Sequence, residues 1–159
     1  CHALFEDELV FLTSPLHPWH QQPPKPKDLA NETYIISSRN SSTFQLINEY
    51  FLKLGARPKS FIELGSTEAI KELVKLGLGV AMVAGWVTRN ELKSGELVAL
   101  PLLRGRIKRQ WVVAHLKNKA VTLAEQTFLA LCEAVGTDLE LKPAPPAPVA
   151  PKRNGRQAK

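Results

Sequence analysis

The 159-residue chain is 44% hydrophobic and 23% charged, which suits one globular domain, or a domain plus a tail. Its net charge of +6 is uneven: residues 142–159 hold five basic residues and no acid, whereas residues 1–141 hold sixteen basic and fifteen acidic ones. That near-neutral body gives no argument for DNA binding within it, and the longest apolar run, residues 76–87, is shorter than the roughly 20 residues of a membrane helix.

Cys1 and Cys132 form no metal or redox spacing and read as free thiols of a reducing, cytoplasmic compartment. The chain opens on Cys1 and not on Met, so it reads as a fragment or a processed form, and the lack of a signal pattern carries no weight. A lipid on Cys1 is the sharper alternative.

Residues 8–13 (Glu-Leu-Val-Phe-Leu-Thr) read as a buried strand, which Pro15 and Pro18 end. Residues 18–28 form a proline- and lysine-rich loop, and Asp28-Leu29 opens a short turn. Residues 34–37 are the next strand. The polar loop 38–43 leads into a helix that Ser41 or Ser42 can cap. Phe44, Ile47, Phe51 and Leu54 share one face of that helix, and Gly55 and Pro58 mark its end. Residues 60–64 are a strand.

Ser66 caps the following helix, with Glu68 in its first turn and Ile70, Leu73 and Val74 as its inner stripe. Gly77 stops it. Residues 78–84 are a continuous apolar strand of the kind buried on both faces. Residues 85–93 make a short helix, and residues 97–100 and 107–116 are strands. Thr122-Leu-Ala-Glu125 is a capping box for a helix whose inner face carries Ala124, Phe128, Leu131 and Val135 and which Gly136 ends. From residue 141 the chain becomes a proline-rich, disordered basic tail. The strand–helix order predicts an α/β fold with a largely parallel sheet.

In such sheets ligands bind beyond the carboxyl ends of strands, near helix N-termini. Two places offer hydroxyls and unpaired backbone N–H groups: residues 37–43, with Arg39 adding a charge, and residues 65–67. Together they make a pocket for a small carboxylate or oxyanion; plain helix capping is the competing explanation of each serine. Gly77 and Gly79 follow a helix and precede a strand, the reverse of a dinucleotide loop, so helix stop and tight packing explain them. His17-Pro-Trp-His20 lacks a carboxylate or thiolate partner and reads as surface loop. Arg104-Gly-Arg-Ile-Lys-Arg109 reads as a solvated basic connection between strands, or as a contact with an anion or a neighbouring domain. No nucleophile elbow or carboxylate pair is visible. No catalytic residue, metal ligand or cofactor is therefore assigned.

The ordered set of segments 6–18, 28–36, 66–81 and 122–134 resembles the effector-binding domain of LysR-type transcriptional regulators. Ser66-Thr-Glu-Ala-Ile-Lys-Glu-Leu-Val-Lys-Leu-Gly-Leu-Gly-Val-Ala81 is its most specific part. The resemblance implies a type 2 periplasmic-binding-protein-like fold of two lobes, the second complete and the first partial. Residues 1–17 would be part of the first lobe and its crossing strand, and residues 18–106 the second lobe. Residues 107–140 would be the return strand and last helix of the first lobe.

It further implies a small-molecule effector in the interlobe cleft. Thr13, Ser14, Ser37, Ser38, Arg39, Asn40, Ser41 and Ser42 would line that cleft, with Ser66 and Thr67 added from the helix starts. Promoter DNA would be a partner only through a winged helix-turn-helix outside this chain, in a homodimer or homotetramer. The chain departs from the family in its long loop at 18–28. It also has Val83-Ala84-Gly85 where Leu-Pro is common. A transporter's solute-binding protein, with the same lobes, is the alternative.

Overall fold

The computed structural model describes residues 1–116 and 120–140; the tail expected from residue 141 lies outside them. One long strand organises the architecture. β1 (His2–Thr13) has twelve residues rather than the six expected. Phe5, Asp7, Leu9 and Phe11 are buried at alternate positions along it. The carboxylate of Asp7 interrupts the apolar alternation, which is why the first half does not read as strand from the sequence.

The stretch expected as one loop contains two helical turns. In the first (Pro18–His20) the His17 ring accepts a bond from the Trp19 amide at 3.3 Å, and Trp19 is buried edge-on against Phe11. The second, α1 (Pro26–Leu29), buries Leu29. β2 (Thr33–Ile36) leads to α2 (Ser42–Lys53), which buries Ile47, Tyr50 and Phe51 and half-covers Phe44 and Leu54. β3 (Ser60–Glu63) follows.

α3 (Thr67–Lys75) buries Ile70 and Val74. Its Lys71 is buried too, 2.8 Å from both Glu68 and Glu91. Gly77, at φ +73°, turns the chain out of the helix. At Gly79 a Cβ would lie 2.5 Å from the carbonyl oxygen of Thr33, so backbone proximity excludes any side chain. β4 (Val80–Ala84) therefore starts later than expected, and Leu78 is exposed.

The short helix expected at 85–93 divides into a 3-10 turn (Gly85–Thr88) and α4 (Arg89–Ser94). β5 (Val98–Leu100) and β6 (Lys108–Val113) follow, β6 ending three residues short of expectation. The capping box at the start of α5 (Leu123–Glu140) forms: the Glu125 amide donates to Thr122 Oγ1 at 3.3 Å, and the Thr122 amide to Glu125 Oε2 at 2.7 Å. Gly136 does not end α5. It lies within the helix against β1, where a Cβ would sit 3.0 Å from the Phe5 ring. The glycine buys close approach, not a stop. The stripe of Phe128, Leu131 and Val135 is exposed.

The sheet is mixed, which corrects the largely parallel expectation. Its order is β3-β2-β4-β1-β5, with β6 on the first half of β1. β2 runs parallel to β3 and β4. β1 is antiparallel to β4, β5 and β6. The reason lies in the connection from β1: it carries only short helical turns, and β1 settles beside β4 rather than β2, so no parallel crossover is made. One apolar cluster joins Leu9, Phe11, Tyr34, Phe51 and Val80 beneath α2. A second joins Leu12, Ile35, Ile70, Val74 and Ala81 beneath α3.

Candidate functional site

A cavity of about 230 Å³ opens at the carboxyl ends of β2 and β4, under the first turns of α2 and α3. Its polar rim holds Ser37, Ser38, Ser41, Thr43 and Thr67, and its floor includes Ile36, Phe44 and Met82. This is where parallel strands leave backbone groups unpaired and where helix starts present N–H donors. The two helix termini add partial positive charge, roughly half a unit each.

Capping does account for some of the expected serines. Ser41 Oγ accepts from the Phe44 amide at 3.1 Å and donates to the Ser38 carbonyl at 2.8 Å. Ser66 Oγ accepts from the Ala69 amide at 3.5 Å. Ser38 Oγ accepts from the Asn40 amide at 3.2 Å. Ser37 and Thr67, which also line the cavity, have no such side-chain bond among the described residues.

The other expected residues do not reach the cavity. Arg39 turns away: its amide donates to Glu63 at 3.2 Å, its guanidinium pairs with the same carboxylate at 3.9 Å, and it lies over the Phe61 ring. Asn40, Ser42 and Ser66 lie outside the lining. Thr13 and Ser14 sit at the opposite end of the sheet. Leu9 is the residue of β1 opposite the carboxyl end of β4 at Ala84; Thr13 is four residues further on, or about 13 Å along a strand. Thr13 Oγ1 is buried, 2.9 Å from His20 Nε2, and donates to the Val98 carbonyl at 3.3 Å. These contacts tie the end of β1 to the 18–20 turn and to Val98.

The structure adds Trp86 and Trp111, which the sequence did not single out, and brings Arg109 of the basic connection 104–109 beside them. Trp86, Arg109 and Trp111 close one side of the cavity, and Asp7 holds all three. The Asp7 carboxylate accepts from Arg109 Nε at 2.8 Å and Nη2 at 2.5 Å, from Trp86 Nε1 at 2.9 Å and from Trp111 Nε1 at 2.8 Å. Arg109 Nη1 also donates to Thr43 Oγ1 at 3.0 Å. Phe5 stacks on Trp111. Burial by itself disfavours ionisation of Asp7; the bonds from Arg109, Trp86 and Trp111 outweigh it and hold the carboxyl below the usual carboxylate range. In the antiparallel register Asp7 faces Arg109 and Phe5 faces Trp111. Alternation along β6 puts Arg109 and Trp111 on one face, a signal present in the sequence but hidden without the pairing.

The Arg104–Arg109 cluster is thus divided. Arg109 serves the cavity, whereas Arg106 and Lys108 pair with Glu8 and Glu6 on β1. His17 lies 3.6 Å from Glu32. Among the described residues no group of three His, Cys, Asp or Glu side chains is placed to hold a metal ion.

Residues 1–136 match the family model described as the LysR substrate binding domain. The chain belongs to that family. The uncharacterized HTH-type transcriptional regulator YeiE of Escherichia coli (strain K12) is 32% identical over 130 residues, covering 80% of this chain and 44% of the relative. The RuBisCO operon transcriptional regulator of Acidithiobacillus ferrooxidans is 28% identical over 147 residues, covering 92% and 48%. The LysR substrate-binding chain thus spans less than half the length of these curated relatives.

Among solved structures, the CcmR regulatory domain of Synechocystis PCC6803, in complex with 2-PG, superposes with a TM-score of 0.73 at 28% identity, over 91% of this chain and 67% of that one. The regulatory domain of the LysR family regulator NMB2055 (MetR) from N. meningitidis gives a TM-score of 0.72 at 20% identity, over 86% and 65%. The fold is the type 2 periplasmic-binding-protein-like one that the resemblance implied. No described helix is long and apolar enough to cross a membrane.

Proposed function

We propose that this LysR substrate-binding domain is the ligand-sensing part of a transcriptional regulator of the cytoplasm. Its effector is a small anionic metabolite held at the ends of β2 and β4. The observation that carries the reading is the cavity itself: hydroxyls of Ser37 and Thr67 and two helix starts converge on it, a setting that favours an oxyanion.

The same reading divides the chain into lobes. Residues 18–106 form the second lobe, while β1, β6 and α5 belong to the first lobe and the strands that cross to it. The exposed Phe128, Leu131 and Val135 on α5 form the surface on which further first-lobe chain would rest. Effector binding would then change the angle between lobes at β1 and β6 and so alter how a homo-oligomer holds promoter DNA through a separate domain. The relatives are named as transcriptional regulators, which favours this reading over a transporter's solute-binding protein.

The test uses the product of the whole gene. Small-anion metabolites are titrated into a promoter-binding assay with wild type and with a Thr67→Val variant. An effector that changes DNA binding in wild type, and does so more weakly in the variant, supports the proposal. A gene product with no DNA-binding segment refutes it, as does DNA binding indifferent to every metabolite.

A further inference from the structure

The charge and chemistry of the cavity lining narrow the class of ligand further, taking the pocket assignment above as given. Arg109 is the one charged side chain among the lining residues. It does not offer a free positive charge. Asp7 meets it with a two-point ion pair, at side-chain exposures of 20% for Arg109 and 4% for Asp7. Arg39, between the lining residues Ser38 and Ser41, is itself outside the lining and faces Glu63. Among the described residues, the side chains that line the cavity are therefore electrically balanced. What remains for an anion is neutral: hydroxyls and the backbone donors of two helix starts.

The tryptophans point to the other half of the ligand. Both indole N–H groups are committed to Asp7, so Trp86 and Trp111 present carbon surface to the cavity. Phe44, Ile36 and Met82 continue that surface. At about 230 Å³ the cavity lies below the roughly 300–1,000 Å³ of pockets for drug-sized ligands. A second negative charge inside it would find no unpaired cation among the described lining residues, and an unpaired charge is costly to desolvate.

We infer that this pocket selects singly charged carboxylates with a short apolar or unsaturated body over phosphates and dicarboxylates, and that Asp7 is the positioning residue that sets this selectivity. Asp7 does so twice, by cancelling the Arg109 charge and by holding the two indoles with their polar edges turned inward.

The experiment follows amide and indole signals of the full 159-residue chain by NMR at constant ionic strength. The probes are benzoate, butyrate, succinate and inorganic phosphate; butyrate and succinate share a four-carbon chain and differ by one charge. Benzoate and butyrate are expected to shift the Trp86 and Trp111 indole signals and the amides of residues 37–44, with affinities at least about tenfold (1.4 kcal/mol) above succinate and phosphate. Asp7→Asn, which releases the Arg109 charge, should reduce or invert that ratio. Trp111→Phe, at a position already 41% exposed, should fold normally, weaken benzoate several-fold and leave phosphate unchanged.

Succinate or phosphate binding the same residues more tightly than butyrate overturns this inference while the pocket assignment stands. A ratio unmoved by Asp7→Asn overturns the role of Asp7. If no probe shifts these signals, the pocket assignment and the inference fall together.

Discussion

Replacing Asp7 by Asn keeps the shape of the side chain and removes its charge. The amide oxygen can still accept an indole N–H, but the amide nitrogen now confronts donors, and Arg109 loses its counter-charge. Neutralising one partner of a fully buried pair costs roughly 3–5 kcal/mol. Arg109 is one-fifth exposed, and water reaching it lowers the expected loss to about 2–3 kcal/mol.

Urea unfolding followed by tryptophan fluorescence measures that loss as a midpoint shift of about 1–2 M, for a slope on the order of 1–3 kcal/mol/M. Acidity supplies a second check. The folded-state pKa of Asp7 is depressed, so its contribution is complete above the unfolded value of about 3.9 and is lost as pH falls through the lower folded value. The gap between wild type and Asp7→Asn should therefore be constant near neutrality and narrow on acidification below about pH 4. A loss under about 0.5 kcal/mol, the usual scatter of a surface substitution, or a gap that fails to narrow in acid, refutes the reasoning.

Gly79→Ala should cost about 2–3 kcal/mol, since its Cβ meets the fixed Thr33 carbonyl at 2.5 Å. Gly77→Ala, where the nearest atom is Ser14 Oγ at 3.9 Å and only φ is strained, should cost about 1 kcal/mol; the reverse order in urea unfolding counters the packing argument. Ser41→Ala should lose about 1 kcal/mol as the cap of α2 and Ser42→Ala much less, by the same assay. Lys71→Met should destabilise by about 2 kcal/mol, because Glu91 keeps a 13% exposed carboxylate with its ammonium gone. Further neutralising Glu91 to Gln should recover part of that loss.

Elements whose signals are local were readable in the sequence. α2 and α3 announce their caps and apolar stripes, Gly55 and Gly77 their stops, and Thr122 with Glu125 the start of α5. Ser37, Ser38, Ser41 and Thr67 were legible as cavity residues because a strand end followed by a helix start defines the place chemically. What was not legible depends on partners distant in sequence. Asp7 and Arg109 lie 102 positions apart, and only the antiparallel register of β1 and β6 joins them. Thr13 and Ser14 were assigned to the cleft by family resemblance; β1 runs against β4, and that direction places them at the far end. Arg39 looked available until Glu63, at the end of β3, came beside it. Gly136 looked like a stop, yet its meaning is the close contact with Phe5.

Hydrogen–deuterium exchange on the 159-residue chain, with and without a small carboxylate identified by thermal-shift screening, tests the central claim most directly. Slower exchange confined to residues 37–44, 66–69 and 84–87 is the expected result. Protection confined to the proline-rich loop at 18–28, or to the surface depression between Tyr50 and Arg104, would contradict a ligand site at the ends of β2 and β4.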